Sequence, residues 1–264
     1  MLLEPFQYLL GALSGGLVGL TLGLFGGGGS ILAVPLMVYL VGVPSPHLAL
    51  GTSAVAVAAN ALANLVGHAR RGNVRWRCAA IYSSAGVAGA YLGSSVGKLI
   101  DGEKLLFLFA LLMLVVGALM LRSRGRTANA TAACTLENAP KTVGYGAASG
   151  AFSGFFGIGG GFLIVPGLIA ATGMPILAAV GSSLVAVTAF GLTTALNYAA
   201  SGLVDWPLAG VFIAGGIGGG MVGTFAADQI SRRSGRLNLM FAALIFGVAG
   251  YMLWRSAAAF GVTA

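Results

Sequence analysis

The sequence predicts an all-α integral membrane protein: two inverted repeats of five hydrophobic segments each, the first two of each repeat short and joined by a Gly-rich break. Three observations predict it. The 264 residues are 58% hydrophobic and only 8% charged, with a mean hydropathy of +0.95, where a soluble domain carries roughly 25% charged residues. The second part of the chain repeats the first, and equivalent loops of the two parts carry opposite charge character. A soluble fold of this size has nowhere to hide so much apolar surface.

Apolar runs fall at about 6–24, 31–43, 47–67, 78–97 and 105–121, then 143–156, 162–173, 177–200, 207–227 and 237–254. A helix needs about 20 residues to cross a hydrocarbon core. Seven of the ten runs meet or approach that length, whereas 31–43, 143–156 and 162–173 do not. The short runs adjoin Gly26-Gly27-Gly28-Gly29-Ser30 in the first half and Gly157-Ile158-Gly159-Gly160-Gly161 in the second. Bare backbone at membrane depth is tolerated only inside protein or around a wet cavity, so each short pair reads as two helices meeting at an unwound Gly loop. A re-entrant hairpin and two short tilted crossings both fit the lengths. Glu4 stands where a signal peptide would carry basic residues, so the first run is expected to be a retained membrane segment.

The repeat is visible residue by residue. Gly23–Pro35 (GLFGGGGSILAVP) over Gly154–Pro166 (GFFGIGGGFLIVP) gives eight identities in thirteen positions. The match continues as Gly42-Val43-Pro44 over Gly173-Met174-Pro175 and Gly51-Thr52-Ser53 over Gly181-Ser182-Ser183. Further on, Gly72 aligns with Gly202, Trp76 with Trp206, and Gly86, Gly89 and Gly93 with Gly216, Gly219 and Gly223. The chain therefore divides into a first transmembrane repeat at 1–121, a basic cytoplasmic linker at 122–141 and a second repeat at 142–264.

Lys and Arg in short loops mark the cytoplasmic side. Loop 68–77 holds Arg70, Arg71, Arg75 and Arg77, whereas its counterpart 201–206 holds only Asp205. Loop 98–104 is balanced, and its counterpart 228–236 carries Arg232, Arg233 and Arg236. Placing 68–77, 122–141 and 228–236 inside collects eleven of the fourteen basic residues there and puts both termini outside. The net charge of +8 is thus a topology signal spread over turns, not a nucleic-acid surface. Inverted repeats about a two-fold in the membrane plane are a recurrent transporter plan, with the site between broken helices near the midplane.

Each Gly-rich break leads into an apolar helix. The first N–H groups of a helix lack intrahelical partners and carry the positive end of its dipole, and glycine lets a ligand approach them closely. Gly26, Gly27, Gly28, Gly29 and Ser30, with Gly157, Gly159, Gly160 and Gly161, are therefore expected to cradle a small anion without a buried basic side chain. Thr52, Ser53, Ser182 and Ser183 offer hydroxyl donors near the starts of the third segments. Asn60, Asn64, Thr194 and Asn197 lie further along the same segments. Gly86, Gly89, Gly93 and their counterparts read as helix-packing positions, and Pro35 and Pro166 as kinks.

His47 and His68 fall near the water boundaries and are expected to be solvated; Trp76 and Trp206 sit where interfacial anchors belong. Cys78 and Cys134 form no CxxC or Cys/His motif. There is no HExxH, and the GGGGS run has no GK[ST] ending. No enzyme chemistry, metal or cofactor is expected, and a coupled proton or sodium ion would have to do without a buried carboxylate.

With the Gly-x-Gly-Gly-Gly-x-x-x-x-Pro element complete in Gly157–Pro166 and nearly so in the first half, where Gly27 and Ser30 depart from it, the chain resembles the sulfite exporter TauE/SafE family, also called the toluene-sulfonate uptake permease family. The resemblance covers about the whole chain. It implies a prokaryotic cytoplasmic-membrane permease for sulfur-containing anions such as sulfite, thiosulfate or sulfonates, with the bilayer as its other partner. A passive anion channel or exchanger, and a membrane scaffold that transports nothing, are the alternatives.

Overall fold

The computed structural model describes residues 4–122, 134, 138–157, 161–231 and 236–259. They are helical: α1 Pro5–Phe25, then a 3-10 stretch Gly26–Leu32, α2 Ala33–Pro35 and a π-helical stretch Leu36–Leu40; α3 Pro46–Arg70; α4 Trp76–Gly97; α5 Gly102–Arg122; α6 Ala139–Phe155; α7 Gly161–Thr172; α8 Ile176–Ala199; α9 Trp206–Ser231; and α10 Arg236–Ala259. Among these, α3, α8 and residues 206–227 of α9 are long and apolar enough to cross a membrane, as is the stretch Pro5–Leu40, which folds back on itself.

That fold-back is set by Gly26. Its φ of +63° lies in the left-handed region, which costs a residue with a Cβ about 1–2 kcal/mol. Thr21 Oγ1 then donates to Gly29 O at 3.1 Å, and Gln7 Nε2 to Val41 O at 3.0 Å. Residues 34 apart in sequence meet only because the chain returns to the end of the bundle where α1 began. The first pair is thus a hairpin. The Gly run is not an open loop, as the sequence reading expected, but a tight 3-10 turn: a Cβ on Gly29 would fall on the backbone of Thr21 and Leu22, so only glycine lets the return leg lie this close to α1. Pro35 ends the short α segment, and the π turn follows it, a common combination at a helix irregularity.

Glycines also set the long-range packing. On α1, Gly11, Gly15, Gly19 and Gly23 lie in turn against Leu208, Phe212, Gly216 and Gly220 of α9, so these helices run in the same direction. Gly86, Gly89, Gly93 and Gly97 of α4 lie against Gly150, Ala147, Ala151 and Phe155 of α6, likewise in the same direction. Small residues at four-residue spacing bring helix backbones into contact. Helices α3 and α8 run in opposite directions, with Gly51 against Tyr198 and Gly191 against Ala54 and Ala58. Leu203 packs on Gly51 near the start of α3, and Asn73, beyond its end, packs on Gly181. Loops 71–75 and 200–205 therefore lie at opposite ends of this helix pair.

The duplication is written into the backbone. The six positive-φ glycines among the described residues form three matched pairs: Gly26 (+63°) and Gly157 (+64°), Gly42 (+80°) and Gly173 (+72°), Gly72 (+71°) and Gly202 (+71°). The outward faces carry Leu9, Leu13, Leu17, Leu92, Leu196 and Phe225, all exposed, as a lipid-facing surface requires. Trp76 and Trp206 are exposed beside their loops, where interfacial anchoring was expected. Cys78 and Cys134 form a disulfide (S–S 2.08 Å) that ties a residue of the inter-repeat linker to the first turn of α4. Most of the rest of that linker lies outside the described residues.

Candidate functional site

The third helix of each half meets a Gly-rich break of the opposite half near its start and a loop of the opposite half beside it. Thr52 Oγ1 accepts a hydrogen bond from Asp205 N at 2.9 Å, and Ser182 Oγ accepts one from Arg75 N at 2.8 Å. These matched hydroxyls pin loops; they do not face the Gly breaks. The next residues do. Gly27 N donates to Ser183 Oγ at 3.0 Å, Ser183 Oγ donates to Val180 O at 2.7 Å, and Ser30 Oγ donates to Gly27 O at 2.9 Å. Gly26 packs on Val180 and Ser183. In the other half Ser53 Oγ donates to Leu50 O at 2.9 Å, and Gly157 packs on Leu50. Gly28 is buried within the 3-10 turn, Gly161 opens α7, and Gly159 and Gly160 lie outside the described residues.

The sequence reading brought the two breaks together near the midplane. The structure separates them: Gly26 sits by the start of α8 and Gly157 by the start of α3, and these starts are at opposite ends of an antiparallel pair. The reason is length. Helix α1 has 21 residues before its break and α6 has 17, at 1.5 Å per residue enough to traverse most of the bundle before turning.

Between the two hairpin tips, α3 presents Asn60, Asn64 and His68 at four-residue spacing. Asn60 packs on Gly216 and Asn64 on Gly220. Asn64 Nδ2 donates to Asn60 O at 2.9 Å, and Thr224 Oγ1 donates to Asn64 Oδ1 at 3.0 Å. His68 was expected to be solvated; it is fully buried, with Nε2 3.0 Å from Gly23 O. A carbonyl only accepts, so Nε2 carries a proton, leaving Nδ1 to face Asn73 Nδ2 at 3.5 Å. Packing of α1 across the end of α3 is what excludes water there. On α8 the corresponding positions hold Phe190, Thr194 and Tyr198. Thr194 is buried with no hydrogen-bond partner among the described residues. Asn197 is elsewhere, at the α4–α8 edge, where it donates to Ser94 and Ser95 and accepts from Lys98 Nζ at 2.8 Å.

Sequence reasoning missed His68, Thr224 and Lys98 as members of polar clusters; only their neighbours in space identify them. It also missed a crevice of about 790 Å³ at the end where α1 begins, lined by Gln7, Tyr8, Gly42, Pro44, Asp205 and Trp206. Thr52 lies just beneath it, bonded to Asp205. Among the described residues there is no group of His, Cys, Asp or Glu able to hold a metal.

Comparison with known proteins agrees with this architecture. The chain is 57% identical over 244 residues to a probable membrane transporter protein of Xylella fastidiosa, covering 92% of this chain and 94% of that one. It is 28% identical over 214 residues to the probable membrane transporter protein YdhB of Bacillus subtilis, covering 78% and 85%. A probable membrane transporter protein of Methanocaldococcus jannaschii is 29% identical over 188 residues, covering 69% and 67%. No solved structure gives a match. The profile of the family described as "Sulfite exporter TauE/SafE" matches residues 11–252, and the chain accordingly belongs to the sulfite exporter TauE/SafE family of membrane transporters.

Proposed function

We propose that this transporter moves a small sulfur-containing anion such as sulfite, thiosulfate or an organosulfonate, by alternating access between two inverted repeats. The helix directions support the inversion: α3 and α8 are antiparallel, and the equivalent loops 71–75 and 200–205 lie at opposite ends of the pair. With the Arg-rich end inside, both termini are outside a prokaryotic cytoplasmic membrane. Each hairpin tip then serves one face. The substrate meets a tip at its own side rather than two tips at one central point.

One observation carries this reading: the Gly27 N–H is held by the hydroxyl oxygen of Ser183, which belongs to the other half. Rocking one half against the other separates the pair. The freed N–H, at the mouth of a glycine turn, is then a donor for an anion oxygen. The hydroxyl oxygen occupies the place that a sulfonate oxygen takes in the open state. A coupled proton or sodium ion would drive the cycle.

The test is flux in proteoliposomes with radiolabelled sulfite, thiosulfate and taurine-like sulfonates under an imposed proton or sodium gradient. Saturable, uphill uptake of one of them is the expected result. Flux that saturates but never runs uphill would replace the transporter cycle by a passive pathway. No flux of any anion from folded protein would overturn the reading.

A further inference from the structure

The duplicated chain builds the same groove twice. Beside α3, the backbones of Gly216 and Gly220 on α9 leave room for side chains; beside α8, Gly86 and Ala90 on α4 do the same. The second groove is filled: a Cβ on Gly86 would fall on the Phe190 ring, which stacks with Tyr82 at 6.4 Å, while Tyr82 and Ser149 share a hydrogen bond of 2.6 Å. An aromatic side chain thus fills the position itself, while the buried unpaired oxygens of this seam are single hydroxyls, on Ser83, Ser153, Thr194 and Tyr198.

The first groove holds Asn60 where the second holds Phe190. Asn60 is 0% exposed, and neither its Nδ2 nor its Oδ1 has a hydrogen-bond partner among the described residues. Exchanging the two amide atoms does not change this, since both are unpaired. Burying an unpaired carboxamide is costly, and the same fold closes the equivalent position with a phenyl ring. Asn64, one turn away, is engaged with Thr224 and Asn60 O, so of the two carboxamides in this seam only that of Asn60 is unpaired. On α1, Ser14 Oγ is likewise buried and unpaired, about one turn of helix from the Gly19–Gly216 contact that Asn60 adjoins. Asn60 lies on α3 between Leu50, which touches the Gly157 tip, and His68, which bonds Gly23 beside the Gly26 tip.

We propose that the α1–α3–α9 seam is the substrate's passage, and that the Asn60 carboxamide at its middle is a binding station for a small oxyanion carrying a hydrogen-bond donor of its own. The donor is required by the chemistry of the amide. A bare oxyanion accepts from Nδ2 but sets its negative oxygens against the lone pairs of Oδ1; a ligand with a hydroxyl or a protonated oxygen satisfies both atoms at once. The α4–α6–α8 seam is the frame against which this passage moves. The inference rests on the anion-transport reading above.

The experiment is competition between 2-hydroxyethanesulfonate and ethanesulfonate, carrying different labels, for uptake into the same proteoliposomes containing the whole chain. Wild-type protein should favour the hydroxyl-bearing anion about five- to tenfold in kcat/KM, the size of one hydrogen bond. Asn60→Leu, and the smaller Asn60→Ser should Leu impair folding, should bring the ratio to about one, whereas Phe190→Asn should leave it unchanged. Because the ratio is read within one vesicle population, it does not depend on how much protein is folded. Equal uptake by wild type, or a preference that survives the Asn60 variants, overturns the passage while leaving anion transport standing. If neither sulfonate moves, nor any other anion, the functional reading falls and this inference falls with it.

Discussion

The two seams that hold the protein together differ in what they have kept. In α1–α9 and in α4–α6 the glycine ladder recurs at matched positions: Gly15, Gly19 and Gly23 over Gly146, Gly150 and Gly154, and Gly216, Gly219 and Gly223 over Gly86, Gly89 and Gly93. On the third helices that line those ladders, Asn60, Asn64 and His68 face Phe190, Thr194 and Tyr198 as counterparts. Requirements of the backbone are therefore met twice, because both halves must bring helices to the same close approach. The side chains have diverged instead, two carboxamides and an imidazole in the first half against a phenyl ring, a hydroxyl and a phenol in the second. Duplication with such divergence suits a machine in which one seam handles a polar cargo and the other supplies a packed, nearly symmetric abutment.

The equivalence of the seams can be broken outright by topology. In a background with Cys78 and Cys134 replaced by Ser, Arg75→Cys and Ser201→Cys should react with a membrane-impermeant thiol reagent from opposite sides, an all-or-none difference. Labelling of both from one side would make the repeats parallel. This experiment also resolves a conflict between two indicators of sidedness. The Cys78–Cys134 disulfide lies at the Arg-rich end, and disulfides are rare in the reducing cytosol. The proposal follows the charge, carried by eleven of fourteen basic residues.

Large stability effects come next. Gly219→Val would drive a side chain into the Gly16 backbone, and Gly93→Val into that of Ala151. Each should cost about 3 kcal/mol, the upper range for overpacking, seen as loss of the thermal transition in detergent. A Gly93 variant much milder than the Gly219 variant would show that the two ladders are unequal. At the hairpin tips the comparison should be graded. Gly26→Ala meets left-handed strain and the Val180 backbone, whereas Gly157→Ala meets similar strain and the Leu50 side chain rather than a backbone. Expected losses are about 2–3 and about 1–2 kcal/mol, measured by the same melts. The smallest pair tests the loop pins: Thr52→Val and Ser182→Ala should each lose about 1 kcal/mol, one hydrogen bond to a loop N–H, without changing substrate affinity.

The duplication, the helical segments and the positions where the chain turns were legible from Gly, Pro and the apolar runs, because these are local properties of the chain. The sites were legible only in part. Ser183 and Gly27 were both named as candidates, and they touch; Thr52, Ser182 and Asn197 were named and serve loops and an edge instead. A hydroxyl on a membrane helix has the same sequence signature whether it faces a ligand, a loop N–H or its own helix carbonyl. His68 shows the limit from the other direction: its place near a segment end predicted water, and α1 packing over it removed the water.

By itself the sequence determined that the protein is a helical membrane protein, that it is built twice, and that its helices break at the Gly-rich stretches 26–30 and 157–161, since hydropathy, self-similarity and the poor helix propensity of glycine are all fixed before any contact forms. Only the tertiary structure decided that the two bends lie at opposite ends of the α3–α8 pair, that Gly27 is held by a serine 156 residues away, and that one groove is closed by Phe190 while its twin holds an unpaired Asn60. These depend on which helix faces lie together, and in a chain whose segments are apolar all round, no amphipathic stripe in the sequence says which face will meet which.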